Sequence, residues 1–342
     1  DKSAFKNLQH IDPEGLDDRY EKIDIDRQWK NFQKRTAWRT YIWWRVGVVA
    51  AGICLLLGTG WLFYRQARLF PQPEIAATVP EAVRLVLSSG RILDLSDCEN
   101  VDVREIEGKV ILHNGQLEYC SDSVKRNSEE TNTLIIPKGA FYHLIFSDGT
   151  KVWLNSDSKI TYPLVFSGNA RKVILTGEAY FEVAKDAKKP FTVQFMSSSV
   201  TVLGTSFNVM AYPDERHTEI TLLKGAVVVE AAGRNQYIKP GQQVQVDNVS
   251  KEMNCREVNA GRYASWKDGL FDFEGMKLED LAVELSRWYD VDFFFIHAAS
   301  GQKKFTGAIK RNNSLQFMLD FIEKTSDVRF EVKENVVRVY NR

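Results

Sequence analysis

Two short runs set a carboxylate beside glycine, Asp148-Gly149-Thr150 and Gly177-Glu178-Ala179-Tyr180, and a third, Ser197-Ser198-Ser199, supplies hydroxyls. Hydrolytic chemistry would require paired carboxylates across a cleft, or a hydroxyl with a histidine–acid partner to take its proton. Neither arrangement follows from these spacings. Glycine supplies the positive φ of tight turns and aspartate commonly precedes it, so both glycine-containing runs read as hairpin turns. The serines, with no histidine–acid pattern nearby, read as a polar loop. P-loop, G-x-S-x-G and H-E-x-x-H patterns are absent. The five histidines (His10, His113, His143, His217, His297) are scattered and the four cysteines include no C-x-x-C, so no metal site is suggested. No cofactor is called for.

The elements around these runs are mostly strands. Between about residues 81 and 255, apolar alternation over four to seven residues is broken by turn pairs: Ser89-Gly90, Asn114-Gly115, Asp148-Gly149, Ser167-Gly168, Gly233-Arg234 and Pro240-Gly241. No helical period interrupts them, so the region reads as all β. The stretch Arg84–Ser96 resembles His143–Ser156 with one residue inserted, and each copy reads as a hairpin. Repeated hairpins fit a stacked, solenoid-like sheet, and a sandwich fits them too.

Residues 262–342 change character. A strand over Gly269–Glu274 leads into an amphipathic helix carrying Leu278, Leu281, Ala282, Leu285 and Tyr289. Val291–Ile296 reads as a buried strand and Lys304–Ile309 as another. Ser314 is a suitable N-cap for a second helix with Leu315, Met318, Leu319 and Ile322 inward. Val328–Val332 and Val336–Tyr340 close as a hairpin through Glu334-Asn335. The order β-α-β-β-α-β-β describes a small α+β domain.

Ahead of all this, Val46–Tyr64 is an uncharged apolar run of 19 residues between Arg45 and Arg65. As a helix it reaches about 28 Å, enough to cross the hydrocarbon core once. Trp43, Trp44, Trp61 and Tyr64 lie at its ends, where amphipathic rings favour the headgroups. Lys30, Lys34, Arg35, Arg39 and Arg45 precede the run, against Arg65 and Arg68 after it. The positive-inside bias therefore puts residues 1–45 in the cytoplasm and the bulk of the chain outside. Within 1–45, seven acidic residues lie between Asp12 and Asp26. Trp29, Phe32 and Arg35 then follow at helical spacing, either as a solvated helix or as an arm that docks a cytoplasmic partner. Residues 65–80, with Pro71, Pro73 and Pro80, read as an extended tether. With 45 basic and 45 acidic residues, charge gives no reason to expect a nucleic-acid surface outside. In an oxidising exterior, Cys98, Cys120 and Cys255 allow one disulfide, with Cys98 and Cys120 the nearest pair in sequence. Cys54 falls inside the span.

Several motifs carry a family resemblance. Ile135-Ile-Pro-Lys-Gly-Ala140, Leu144–Ser156, Leu175-Thr-Gly-Glu-Ala-Tyr-Phe-Glu-Val183, Pro190-Phe-Thr-Val193, Val202-Leu-Gly-Thr-Ser-Phe-Asn-Val209 and Leu223–Val229 resemble the periplasmic domain of FecR-type anti-sigma factors. Trp266–Glu274, the leucine helix and Phe305-Thr-Gly307 are similar to the C-terminal domain of Bacteroidetes members, which in turn is similar to the short N-terminal domains of secretins and TonB-dependent transducers. The match runs from about 80 to 342 in consistent order.

The resemblance implies an inner-membrane regulator. Its cytoplasmic arm would hold an extracytoplasmic-function sigma factor, with Trp29, Phe32 and Arg35 as contacts. Its periplasmic part would receive the N-terminal signalling domain of a TonB-dependent outer-membrane transporter. Intramembrane and periplasmic proteases would then free the sigma factor. The family's cytoplasmic part is longer than 45 residues, so either the sigma-binding element is minimal or the chain continues ahead of Asp1. Docking is expected edge to edge on the strand bearing Val328, Phe330 and Val332 or on that bearing Val336, Val337 and Val339. Some FecR-like proteins are reported to cleave themselves at a Gly-Thr bond, by attack of the threonine hydroxyl on the preceding carbonyl. Gly204-Thr205 matches that motif; the alternative is a strand glycine at a close contact. The rival readings are a structural envelope or secretion-system component without a cytoplasmic partner, and a periplasmic glycan enzyme, for which the chain displays no cleft chemistry.

Overall fold

The computed structural model describes residues 82–95 and 130–341, and the backbone course of 100–105, 108–113 and 116–120. The arm (1–45), the span (46–64) and the tether (65–80) lie outside the described residues, as do Cys98 and the side chain of Cys120. Among the described residues no helix is long and apolar enough to cross a membrane.

The strands of the first region are β1 (Arg84–Val86), β2 (Ile92–Asp94), β3 (Asn100–Glu105), β4 (Gly108–His113), β5 (Gln116–Cys120), β6 (Thr131–Ile136), β7 (Tyr142–Ile145), β8 (Lys151–Leu154) and β9 (Ser158–Pro163). They continue with β10 (Arg171–Glu182), β11 (Phe191–Phe195), β12 (Ser198–Val202), β13 (Ser206–Ala211) and β14 (His217–Lys224). β15 (Val227–Ala231), β16 (Arg234–Ile238), β17 (Gln242–Asp247) and β18 (Met253–Glu257) complete the set. Pairing follows two sheets. One runs β2-β1-β6-β9-β10-β11-β12-β15-β16. The other runs β3-β4-β5-β7-β8-β10-β13-β14-β17-β18. The chain fills them largely hairpin by hairpin in alternation, so stacked hairpins and a sandwich turn out to be one arrangement. Both copies of the internal repeat are hairpins, β1–β2 in one sheet and β7–β8 in the other.

The two sheets close on one apolar core fed by alternate residues of each strand. Across it, Phe181 of the second sheet meets Phe191 of the first with ring centres 6.1 Å apart. Full burial of each such ring stabilises the fold by roughly 1.5–3 kcal/mol.

β10 belongs to both sheets. Ile174–Thr176 pair with β9, and from Gly177 onward the strand pairs with β13. The crossing corrects the reading of Gly177–Tyr180 as a hairpin turn: these residues lie inside a twelve-residue strand. Gly177 is required there by a close approach, not by chain reversal. Its φ is +95°, and a Cβ would stand 2.4 Å from Ser158 Oγ and 2.7 Å from Ser158 Cα. Asp148-Gly149, by contrast, is a turn; Gly149 has φ +82°, and Asp148 accepts the Thr150 N–H at 3.0 Å. The expected serine loop is also shortened, because Ser198 and Ser199 open β12.

After a 3-10 turn at Arg262–Asp268 come β19 (Leu270–Lys277), α1 (Leu278–Tyr289), β20 (Asp292–Phe295), a short α2 (Ala298–Gly301), β21 (Lys304–Lys310), α3 (Leu315–Thr325), β22 (Val328–Lys333) and β23 (Val336–Asn341). Apart from α2, this is the βαββαββ order that the apolar periods imply. Ser314 caps α3 by accepting the Phe317 N–H at 3.2 Å. Leu278, Leu281, Leu285, Met318 and Ile322 pack with Phe273, Phe305, Val328 and Val339 in a separate core. β19 pairs with β21; the other three strands form a sheet in the order β20-β23-β22. Val291–Ile296 is not a buried strand throughout. Only one face of this sheet is packed, so Phe294 is left 61% exposed and Ile296 42% exposed on the open face.

Candidate functional site

Three neighbouring strands of the second sheet bring motif residues together. Tyr180 of β10 sits between Trp153 of β8 and Asn208 of β13 in register. Glu178 of β10, Asn208 of β13 and Asn155, just past the end of β8, are buried polar side chains amid mostly apolar packing. Glu178 accepts from Asn155 Nδ2 at 2.7 Å through Oε2 and from Asn208 Nδ2 at 2.8 Å through Oε1. Each asparagine then accepts an indole N–H through its own Oδ1. Trp266, from the 3-10 turn, donates to Asn208 at 3.1 Å; Trp288, from α1, donates to Asn155 at 3.3 Å. One carboxylate is thus linked through two amides to two tryptophans of the C-terminal region. A buried polar group left without its partner costs about 1–3 kcal/mol, so the five side chains specify one seating of α1 on the sheet.

Two arginines flank them. Arg287, only 3% exposed, lies with its guanidinium carbon 3.7 Å from the centre of the Tyr212 ring. It pairs with Asp214 at 2.8 Å and Glu215 at 3.0 Å. Its carbonyl accepts the Gly139 N–H at 2.8 Å. Arg311 stacks on Phe141 and Trp288, and donates to Ser156 Oγ at 2.9 Å and the Ala140 carbonyl at 3.1 Å. Tyr212 donates to the Ser156 carbonyl at 2.7 Å.

Burial sets the electrostatics. It raises the Glu178 carboxyl, against the two amide bonds that favour its charge. It pushes Glu284, on α1, up to about 8, with the Glu178 charge adding to it. Tyr212 is held well above the usual phenol range for the same reason, and Arg311 is lowered to about 10. Among the described residues no group of three or more His, Cys, Asp or Glu is placed to hold a metal. The arrangement joins the C-terminal domain to the second sheet through hydrogen bonds and ion pairs.

The residues named from sequence fall elsewhere. Gly204 and Thr205 lie between β12 and β13. Gly204 has φ +152°, and a Cβ there would come within 2.8 Å of the Lys185 Cα, so a close contact accounts for the glycine. The Thr205 hydroxyl is 3.0 Å from the Ala226 carbonyl, to which it donates. Val328, Phe330 and Val332 are on β22, whose second edge is unpaired among the described residues. The expectation that Val336, Val337 and Val339 form a docking edge is corrected: β23 lies between β20 and β22, with ladders on both sides. Among the described residues, the opposite edge of this three-stranded sheet is β20. Trp29, Phe32 and Arg35 lie outside the described residues. Cys255 is an exposed free thiol on β18.

The sequence reading passed over Asn155, Trp266, Arg287, Trp288 and Arg311. Its available signal was three polar residues, Asn155, Glu178 and Asn208, each inside a strongly apolar strand motif.

The architecture is a two-sheet β sandwich carrying an α+β module seated on a buried polar contact. The comparisons narrow this. Residues 132–235 match the model of the FecR protein family, and residues 270–339 match that of the FecR C-terminal domain. The chain belongs to the FecR family. Two crystal structures of a candidate anti-sigma factor from Parabacteroides distasonis ATCC 8503 are similar to it. They share 27% and 26% identity, each with a TM-score of 0.58. They cover 61% and 62% of this chain and 99% of their own. Among curated proteins, none matches.

Proposed function

We propose that this protein is an anti-sigma regulator of the bacterial inner membrane that acts by binding. The observation that carries the reading is the succession of a FecR match and a FecR C-terminal match in one chain, behind the apolar run Val46–Tyr64. The similarity to the Parabacteroides structures supports it. Residues 1–45 are cytoplasmic and hold an extracytoplasmic-function sigma factor through Trp29, Phe32 and Arg35. The run 46–64 anchors the chain, 65–80 tethers it, and residues 81–255 and 262–342 are the periplasmic domains. The C-terminal domain takes the signalling domain of a TonB-dependent transporter on a free sheet edge, for which β22 is available and β23 is not. Proteolysis in the periplasm and the membrane then releases the sigma factor. The buried contact around Glu178 links a docking event on the C-terminal module to the sandwich behind it.

Gene deletion followed by transcript profiling tests this. One neighbouring uptake operon should become constitutive or be lost, and an unchanged transcriptome would refute the reading.

A further inference from the structure

Arg171, the first residue of β10, is only 2% exposed and takes no part in the contact with α1. A guanidinium carries five N–H groups, and a buried one is tolerated when acceptors meet them. Nε donates to the Lys189 carbonyl at 2.9 Å. Nη1 donates to Asp148 Oδ2 at 2.7 Å and to the Ala184 carbonyl at 2.9 Å. The guanidinium carbon lies 5.4 Å from the centre of the Phe191 ring. The Nη2 amino group is also buried, and it has no acceptor among the described residues. Holding the Asp148 turn against β10 therefore employs Nε and Nη1 and leaves Nη2 without a role.

A cleft of about 260 Å³ opens here, walled by Arg171 and by all three residues that accept from it, Asp148, Ala184 and Lys189. Its walls carry three cations, Arg171, Lys185 and Lys189, against two carboxylates, Asp148 and Asp186. Both carboxylates are already bonded within the chain. Asp148 also accepts from the Thr150 N–H and hydroxyl, and Asp186 accepts the N–H groups of Lys188 and Lys189 at 2.9 and 3.2 Å. Lys189 donates to the Phe166 carbonyl. Lys185 is exposed and makes no ion pair among the described residues.

The walls thus hold two unspent donor groups, Arg171 Nη2 and the Lys185 ammonium, and one positive charge in excess. A buried charged donor is costly until an acceptor reaches it, and the chain supplies none. A carboxylate balances the excess charge. A dianion such as phosphate would overshoot it beside Asp148 and Asp186. Val165 and Phe166 offer an apolar wall to the rest of the ligand, and the volume falls just under the roughly 300–1,000 Å³ of drug-sized sites. We propose that this cleft binds a small monocarboxylate, its carboxylate accepting from Arg171 Nη2 and Lys185 and its apolar part lying on Val165 and Phe166. The site shares no residue with the α1 contact and stands apart from the sigma-factor reading. Its wall is tied to the connection at Gly204, because Val183 and Asp186 donate to the Thr205 and Leu203 carbonyls at 3.0 and 2.9 Å.

Amide hydrogen exchange on the full chain in lipid nanodiscs, with and without about 20 mM sodium benzoate, tests this. Benzamide and inorganic phosphate at matched ionic strength are the neutral and the dianionic comparisons. A fragment the size of benzoate should bind with a Kd on the order of 1 mM. Protection of peptides spanning Arg171 and Ala184–Lys189 should then rise severalfold, with a ceiling of about twentyfold, while peptides of α1 keep theirs. Benzamide and phosphate should each protect less than benzoate. Lys185→Gln, at an exposed position, should cut the benzoate effect about twofold or more, and Arg171→Gln should abolish it. If Arg171→Gln does not fold, Lys185→Gln and the two comparison ligands decide the matter. No protection by benzoate, equal or greater protection by benzamide or phosphate, or an undiminished effect in Lys185→Gln or in folded Arg171→Gln would overturn the proposal.

Discussion

Replacing Arg287 with methionine should destabilise the folded sandwich and C-terminal domain by about 3 kcal/mol. The guanidinium is almost fully buried and its field lowers the cost of Glu178 and Glu284 beside it. The separate contributions differ in size. Asp214 is 66% exposed, so its pair with Arg287 is screened and contributes under about 1 kcal/mol. Methionine refills much of the stem volume over Tyr212 but forfeits the cation–π contact, worth about 1–2 kcal/mol when desolvated. The remainder, about 1–2 kcal/mol, is the loss of the cation beside carboxyls that burial already holds raised, less than the roughly 3–5 kcal/mol for breaking a fully ionised buried pair. For a folded body of this size, about 3 kcal/mol corresponds to a fall in Tm of roughly 6–12 °C. Thermal unfolding of the full chain in detergent, followed by tryptophan fluorescence, measures it. Arg216→Met is the control, since that side chain is 81% exposed and should change Tm by no more than about 2 °C. If Arg287→Met behaves like Arg216→Met, the arginine does not hold the contact together and the electrostatic account of it is wrong.

Other outcomes follow from single contacts. Trp266→Phe keeps the ring but leaves Asn208 Oδ1 without its indole donor, and should lower stability by about 1–3 kcal/mol in chemical denaturation; no change would mean that the bond is not formed in solution. Gly177→Ala forces a Cβ against the Ser158 backbone at φ +95°, so the protein should lose several kcal/mol or fail to accumulate, and a normal melting curve would contradict the sheet-crossing role of β10. For Gly204-Thr205, self-cleavage at this bond would give two fragments on denaturing electrophoresis of fresh protein and one band for Thr205→Val. A single full-length wild-type band leaves Gly204 as a close-contact glycine only.

Legibility from sequence followed the range of the forces involved. Period-two alternation and glycine turns are local, so the all-β character and the hairpins at Arg84–Ser96 and His143–Ser156 could be read directly. The C-terminal helices were legible for the same reason, with Leu278, Leu281 and Leu285 one turn apart and Ser314 at a cap. Strand order is not local. Nothing in the residues of Val336–Asn341 says that a parallel partner, β20, covers their outer edge, so β23 was mistaken for a docking edge. Gly177-Glu178 was misread as a turn because a glycine at positive φ looks alike in a reversal and in a strand that changes sheets. Asn155, Glu178 and Asn208 come together only through the register of β8, β10 and β13, and the tryptophans that meet them lie more than 50 residues away in sequence.

The account rests on a membrane dividing a short inner arm from a large outer body, and thiol labelling of intact spheroplasts tests that most directly. Cys255 is an exposed natural probe on the sandwich, and Ser3→Cys places a second probe in the arm. With a membrane-impermeant maleimide and peptide mapping, Cys255 should label in intact spheroplasts and the cysteine at position 3 only after permeabilisation. Labelling of both under the same condition would contradict the topology and, with it, the regulatory scheme.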